Sequence, residues 1–316
     1  MTHRASTAGT SGRGSRALLG SLALLLVATL SAACAGGGGS SPTAPDDALA
    51  SACRGTAPGR ITHVVWILME NKASSDVLGS PSAPYLAQVA RACGVATNDH
   101  GVTHPSLPNY IALTSGSTFG ISDDKGPQSH PLPGPSIFSQ VSDSRRSWKS
   151  YEEGMPQPCT RENAGKYAVR HNPATYYTVL AAACATQDVP YSDLSADLAS
   201  GQLPAFSFVT PDLCHDMHDC GVRRGDQWLS EELPKLLGSQ TYRSGNTAVF
   251  VAWDEDDDSA DNQIPLYVLA PSVPTGAVVS ASFRHQALLS ATEQLLGLPA
   301  LPGADGGSAL RSAFHL

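Results

Sequence analysis

The sequence predicts an α/β fold, a central and mostly parallel sheet flanked by helices on both faces. Three observations carry that expectation. From Arg60 onward, apolar runs of strand length alternate with segments of helical spacing. The strongest runs are almost uninterrupted in apolar residues, as in strands covered on both faces. Three of them then stop at an acid: Glu70, Asp212 and Asp254. Ligand sites of open α/β sheets lie outside the carboxyl ends of the strands.

The elements follow in chain order. Residues 61–69, Ile-Thr-His-Val-Val-Trp-Ile-Leu-Met, form the first strand and run into Glu70-Asn71. Residues 84–93 have helical spacing, with Leu86, Val89 and Ala90 on one face. A second helix opens at Leu107-Pro108-Asn109 and continues through Tyr110, Ile111 and Leu113 toward Gly116. Proline suits a first turn, where the amide it lacks has no partner anyway. Residues 204–210 form a strand leading to Pro211-Asp212, and residues 228–237 a helix. Residues 247–253 form a strand ending in Asp254-Glu255, 264–269 a fourth strand, and 286–296 a closing helix. No internal repeat is present.

The first residues have the layout of an export signal. Arg4, Arg13 and Arg16 precede an apolar run from Ala17 to Leu30, then small residues through Ala35. The run is short for a membrane span, and without an Arg-Arg pair it fits the general export route. Two processing routes compete. Ala33-Cys34-Ala35 is an A-x-A cleavage pattern that would release a soluble protein. Leu-Ser-Ala-Ala-Cys resembles a lipobox that would attach the chain to a membrane through lipidated Cys34, although its Leu stands one place early. Cysteine arithmetic favours the second: setting Cys34 aside leaves six of the seven cysteines, enough for three disulfides outside the cytoplasm. Residues 35–52, rich in Gly, Ser and Pro at their start, read as a flexible linker. Residues 53–316 form the expected catalytic domain.

Composition sets outer limits. With 316 residues and 41% apolar content, the chain has the material for one sizeable domain or two small ones. A formal charge of −8 without any basic run argues against nucleic acid as a partner. The acidic balance says little about substrate, because a bound cation reverses the local potential.

The chemistry-bearing residues cluster. Glu70-Asn71 and Asp254-Glu255 offer carboxylate and amide oxygens from two strand ends, a donor set for a hard cation. Polar residues also follow buried strands simply as turns; Asp256 is ambiguous, and Asp257, Asp258 and Asp261 read as a solvated loop. In the segment Thr103–Tyr110, Ser106 stands at a helix mouth, where free amides and the helix dipole favour phosphate. Serine most often caps a helix there; it becomes a nucleophile if a metal lowers its pKa. Asn109 and His104 are candidate substrate-binding residues. Between Asp212 and Cys220, three acids and two histidines crowd together. Asp212, Asp216 and His218 are a candidate second metal or phosphate site, with a polar loop closed by a Cys214–Cys220 bridge as the plainer reading. His171, His215 and His285 are candidate catalytic acids, each equally readable as a cap or packing residue.

Taken in order, these segments resemble the phosphoesterase family of secreted acid phosphatases and non-haemolytic phospholipases C. The matching pieces are Met69-Glu70-Asn71-Lys72, residues 103–110, Ser147-Trp148-Lys149-Ser150-Tyr151, His171-Asn172-Pro173, residues 211–218, Trp253-Asp254-Glu255 and residues 284–289. The resemblance implies an alkaline-phosphatase-like fold. It also implies a divalent metal (Mg, Ca, Mn, Zn or Fe) held by Glu70, Asn71, Ser106, Asp254 and Glu255. Ser106 would attack phosphorus and form a phosphoserine intermediate, while His171, His215 or His285 protonates the leaving oxygen. The substrate would be a small phosphorylated molecule, most simply a phosphomonoester. The chain departs from the family in carrying Asp256-Asp257-Asp258 after its Asp-Glu pair, where small residues are usual. Two rival readings remain: a phospholipase C or other phosphodiesterase, and a surface lipoprotein that binds a phosphorylated ligand without turnover.

Overall fold

Eight strands form one sheet in the computed structural model, which describes residues 45–316. They are β1 (His63–Met69), β2 (Gly94–His100), β3 (Trp148–Glu152), β4 (Asp188–Pro190), β5 (Phe206–Thr210), β6 (Thr247–Trp253), β7 (Gln263–Leu269) and β8 (Ala277–Val279). Their order across the sheet is β4-β3-β5-β1-β6-β7-β2-β8. Neighbours run parallel except where β7 lies antiparallel to β6 and to β2. A short connection from β6 to β7 accounts for that reversal, since a parallel partner would need a longer crossover.

Central strands are buried on both faces, as their apolar runs imply. Every residue of β5 and β6 is buried, and every residue of β1 after His63. Successive side chains point to opposite faces, so layers must cover both. Those layers come from α1 (Pro45–Ala50), α2 (Ser74–Val77), α3 (Pro84–Ala92), α4 (Ser106–Ser115), α5 (Ile137–Asp143), α6 (Cys184–Gln187), α7 (Ser192–Ser200), α8 (Val222–Leu237), α9 (Gln240–Arg243), α10 (His285–Leu296) and α11 (Gly307–Ala313). All ten residues of α4 are buried, which makes it an interior helix rather than an amphipathic surface one. Trp66 on β1 donates its indole N–H to Thr292 Oγ1 on α10 at 3.0 Å, fixing that helix against the central strand.

The structure departs from the sequence reading in three places. β2 and β3 carry too many polar residues (Gly-Val-Ala-Thr-Asn-Asp-His and Trp-Lys-Ser-Tyr-Glu) to read as apolar runs. β2 also needs glycine at its start, where a Cβ on Gly94 would stand 2.7 Å from the Phe314 ring. The helix α8 begins at Val222, earlier than its apolar spacing suggested, because its first turns carry a buried acid. That acid, Asp226, accepts the amides of Tyr85 and Leu86 at 3.1 and 2.8 Å and so caps α3 from outside. Finally, the linker expected over residues 35–52 is not all linker. Residues Pro45–Ala50 form α1, which buries Ala48 and Leu49, followed by buried Ala52. Only two small contact residues and one leucine mark that turn, too few for a periodic signal. The expected export signal, Cys34 and the first part of the linker lie outside the described residues.

Three disulfides join Cys53–Cys93, Cys159–Cys184 and Cys214–Cys220. The last two pair cysteines near one another in sequence, and all three belong to an oxidising, extracytoplasmic setting. Among the described residues no helix is long and apolar enough to cross a membrane.

Candidate active site

The parallel register of β1 and β6 brings the two strand-end acids together. Met69 pairs with Trp253, so Glu70 and Asp254 leave the sheet side by side, and the Asp254 amide donates to Met69 O at 3.1 Å. Asn71 turns the chain away with φ +48°, a left-handed conformation that asparagine tolerates better than most residues. Its amide then donates to Asp254 Oδ1 at 3.2 Å. The loop after β5 folds back over this corner, where the Glu70 amide donates to Asp216 O at 2.8 Å.

Ser106 reaches the same corner from the first turn of α4. Its Oγ lies 3.1 Å from Glu70 Oε2 and 3.1 Å from Glu255 Oε1, a single hydroxyl shared between two carboxylates. Asn109, one turn on, donates to Glu255 Oε2 at 3.0 Å and to Thr103 O at 2.7 Å. Its Oδ1 accepts the amides of Val102 and Thr103. Asn109 thus braces the entry loop, and His104 on that loop lies with Nδ1 2.9 Å from Glu255 and Nε2 3.2 Å from Asp256.

Four acids crowd this volume, and burial in each other's field raises their proton affinity. Desolvation pushes Glu70 and Asp216 well up, with Asp254 adding repulsion to both. The same causes carry Glu255 to about 9, and burial carries Asp254 to about 6. Glu70 Oε1, Asn71 Oδ1, Asp254 Oδ2 and Asp216 Oδ2 are buried without a hydrogen-bond partner. Orphaned acceptors of this kind cost free energy unless a cation or proton meets them. The donor chemistry, oxygen from four residues plus the Ser106 hydroxyl, fits a hard divalent ion.

Two histidines are locked into this cluster. His171 Nε2 lies 3.1 Å from Glu70 Oε1, and Nδ1 lies 3.4 Å from Asp216 Oδ2, with Tyr110 stacked on the ring at 5.1 Å. Burial and the nearby Arg170 charge hold His171 well below its usual range, in the neutral form. His285 opens α10 and places Nε2 2.6 Å from Asp254 O. A carbonyl only accepts, so Nε2 carries the proton; burial draws this imidazole down to about 4. Both rings position the acids and are shut away from solvent.

The expected second site does not form as a unit. Asp212 Oδ1 accepts the amides of Cys214 and His215 at 2.9 and 3.0 Å, a tight turn that the Cys214–Cys220 bridge closes. The turn sends its side chains apart. Asp216 enters the Glu70 cluster. His218 is engaged at both nitrogens, by Arg170 at 3.1 Å and Asp219 at 2.9 Å. His215, expected as a catalytic acid, instead places Nδ1 2.9 Å from Glu153 Oε2 and accepts from Arg224 at 2.8 Å. Gly225 allows this approach, since a Cβ there would lie 2.8 Å from His215 O.

Glu153, Asp212 and His215 make a compact set of candidate ligands, but Glu153 already holds the Asp212 amide, His215 and the Trp228 indole. Cys159, Cys184 and Asp188 form another set, whose sulfurs are spent in a disulfide. A cavity of about 910 Å³ lies between α1, α3 and α8 and is lined by none of the candidate residues. Glu153, Asp124 and Arg170 escaped the sequence reading, because no apolar run or motif singles them out.

A relative named phosphatidylinositol-3-phosphatase from Mycobacterium tuberculosis is 32% identical over 238 residues, 75% of this chain and 77% of that protein. An acid phosphatase from Aspergillus fumigatus is 28% identical over 77% of this chain, which spans only 56% of the fungal protein. Among solved structures, a protein of the alkaline phosphatase superfamily from Vibrio parahaemolyticus superposes with a TM-score of 0.59 at 14% identity, covering 80% of this chain and 70% of that one. That likeness establishes an alkaline-phosphatase-like fold. The model of the Phosphoesterase family matches residues 78–299, Ser106 and the Asp254-Glu255 pair included. This chain belongs to the Phosphoesterase family.

Proposed function

We propose that the protein is an exported, metal-dependent acid phosphatase that hydrolyses phosphomonoesters through a phosphoserine intermediate on Ser106. One observation carries the reading: a helix-mouth hydroxyl 3.1 Å from each of two carboxylates, in a cluster whose remaining oxygens have no partner. Family membership and relatives named acid phosphatase support hydrolysis of a phosphate ester bond.

Glu70, Asn71, Asp254, Glu255 and Ser106 would hold a divalent cation, with Mg, Ca or Mn favoured by the oxygen donors. Such an ion would lower the pKa of the hydroxyl and neutralise charge on the phosphoryl oxygens. Ser106 Oγ gives its proton to Glu70 or Glu255 and forms the new bond to phosphorus while the bond to the leaving oxygen breaks, and the departing oxygen takes a proton. Water then cleaves the Ser106 ester and releases phosphate. His104 is the residue suited to supply that proton: its side chain is 32% exposed, against 2% for His171. His285 and His171 act by holding Asp254, Glu70 and Asp216 in place. The three disulfides and the signal-like first residues support export; attachment through Cys34 remains part of this proposal.

The test compares wild type with Ser106→Ala and Glu70→Ala, using p-nitrophenyl phosphate, bis-p-nitrophenyl phosphate, phosphatidylcholine and phosphatidylinositol 3-phosphate, with chelator and metal add-back. Loss of monoester hydrolysis in both variants is the expected result. Unchanged activity in both sinks the mechanism, and turnover of phosphatidylcholine alone replaces it with a phospholipase C.

A further inference from the structure

The free amide next to the nucleophile is held by a carboxylate. Pro105, before Ser106, has no side-chain oxygen to cap α4. The Leu107 amide donates instead to Asp124 Oδ1, 2.9 Å away, on the loop between α4 and α5. The other oxygen of Asp124 lies 3.9 Å from Arg170 Nε. One carboxylate therefore spans a helix-mouth amide and a guanidinium, the two donor types that most readily receive phosphate oxygens.

This arrangement belongs to the corner already described. Ser106 immediately precedes Leu107, and its partner Glu70 carries a fully buried, unpartnered Oε1. The charge of Asp124 raises the proton affinity of Glu255, while that of Arg170 acts on His171 and Asp216. Asp124 itself is 37% exposed, so its carboxylate can turn to water at little desolvation cost. In place, it adds a negative charge that acts on Glu255, on the side of the corner where Ser106 would meet an incoming phosphate dianion.

We propose that Asp124 is a built-in competitor for the phosphoryl group, its carboxylate holding the Leu107 amide and Arg170 until a phosphate displaces it. This rests on Ser106 being the reacting residue. It makes Asp124 a residue that weakens phosphoryl binding, keeping that of inorganic phosphate, the product, and that of substrate weak alike.

The experiment measures inhibition of p-nitrophenyl phosphate hydrolysis by inorganic phosphate in wild type, Asp124→Asn, Asp124→Ser and Asp124→Glu. Asparagine keeps an acceptor for the Leu107 amide but removes the charge. Asp124→Asn is expected to lower both the phosphate Ki and the substrate KM by roughly 3- to 10-fold. Asp124→Glu keeps wild-type values, and Arg170→Gln raises both constants. A phosphate Ki that is unchanged or higher in folded Asp124→Asn or Asp124→Ser, checked by thermal melting, overturns the proposal. Calorimetric phosphate binding to Ser106→Ala, with and without Asp124→Asn, repeats the comparison without turnover. Retained activity in Ser106→Ala would remove the nucleophile reading, while that calorimetric difference would still decide the role of Asp124.

Discussion

Two groups of buried acids sit in the same sheet, and they are finished differently. Glu152 ends β3 and Asp188 opens β4, both essentially inaccessible. Ser150 donates its hydroxyl to Glu152 at 2.6 Å, and Asn172 its amide to Asp188 at 2.8 Å. Burial pushes Glu152 well up and Asp188 up to about 7, so a proton completes this pair. The group at the ends of β1 and β6 has the same burial and the same raised proton affinity, yet Glu70, Asp216 and Asp254 each keep an oxygen that no hydrogen bond reaches. Raised proton affinity alone therefore does not distinguish a reactive corner from a structural one. Completed hydrogen bonds do: where the chain supplies them the acids are internal ties, and where it does not, the proposed cation would supply the missing positive charge.

The contrast breaks most sharply at Ser106. Ser106→Ala is expected to lower kcat for p-nitrophenyl phosphate on the order of 10⁴-fold or more, and no comparable loss should follow Ser150→Ala beside the other pair. Next come the acids themselves. Asp254→Asn is expected to cost about 10²-fold in activity or metal retention, read by elemental analysis after gel filtration; Asp188→Asn should leave metal content unchanged. A metal loss in Asp188→Asn would erase the distinction between the two groups.

The third test is pH-dependent stability. Below about pH 4 both folded and unfolded chains hold the Asp188 proton. Between there and about pH 7 the unfolded chain releases it while the folded chain keeps it, so stability falls as pH rises through that window. The Asp188 contribution is up to about 4 kcal/mol across it. Urea titrations from pH 4 to 7.5 should show a flatter profile for Asp188→Asn than for wild type. An identical slope would mean that the pair is ionised in the fold. The smallest effect is expected at the rim: Cys214→Ser with Cys220→Ser costs about 2 kcal/mol of stability, seen as a lower melting temperature. Activity falls further than that loss explains if the bridge also orients Asp216.

Strand-end chemistry was legible because β1 and β6 are unbroken apolar runs, so the first acids after them, Glu70 and Asp254, stand out. Ser106 was legible from its place before a helical run with proline in its first turn. Asp216 and His215 were visible only as a dense group. Which one turns inward depends on the Asp212 turn and on Glu153 from the turn after β3, and no local pattern encodes that pairing. Asp124 lies on a loop and Arg170 in a single 3-10 turn, where residue type says nothing about what is met across space. β2 stayed hidden because burial of Gly94 against Phe314 depends on residues far away in sequence.

The Cys53–Cys93 bridge also has a mechanical consequence. Cys53 lies near the start of the described chain, and Cys93 at the junction of α3 and β2. Tension applied at the amino end divides at Cys53, and the covalent branch delivers it to β2, which is separated from β1 by β7 and β6. A pull on that end is thus diverted toward the outer strands, and the corner holding Glu70, Ser106 and Asp254 is spared part of the load.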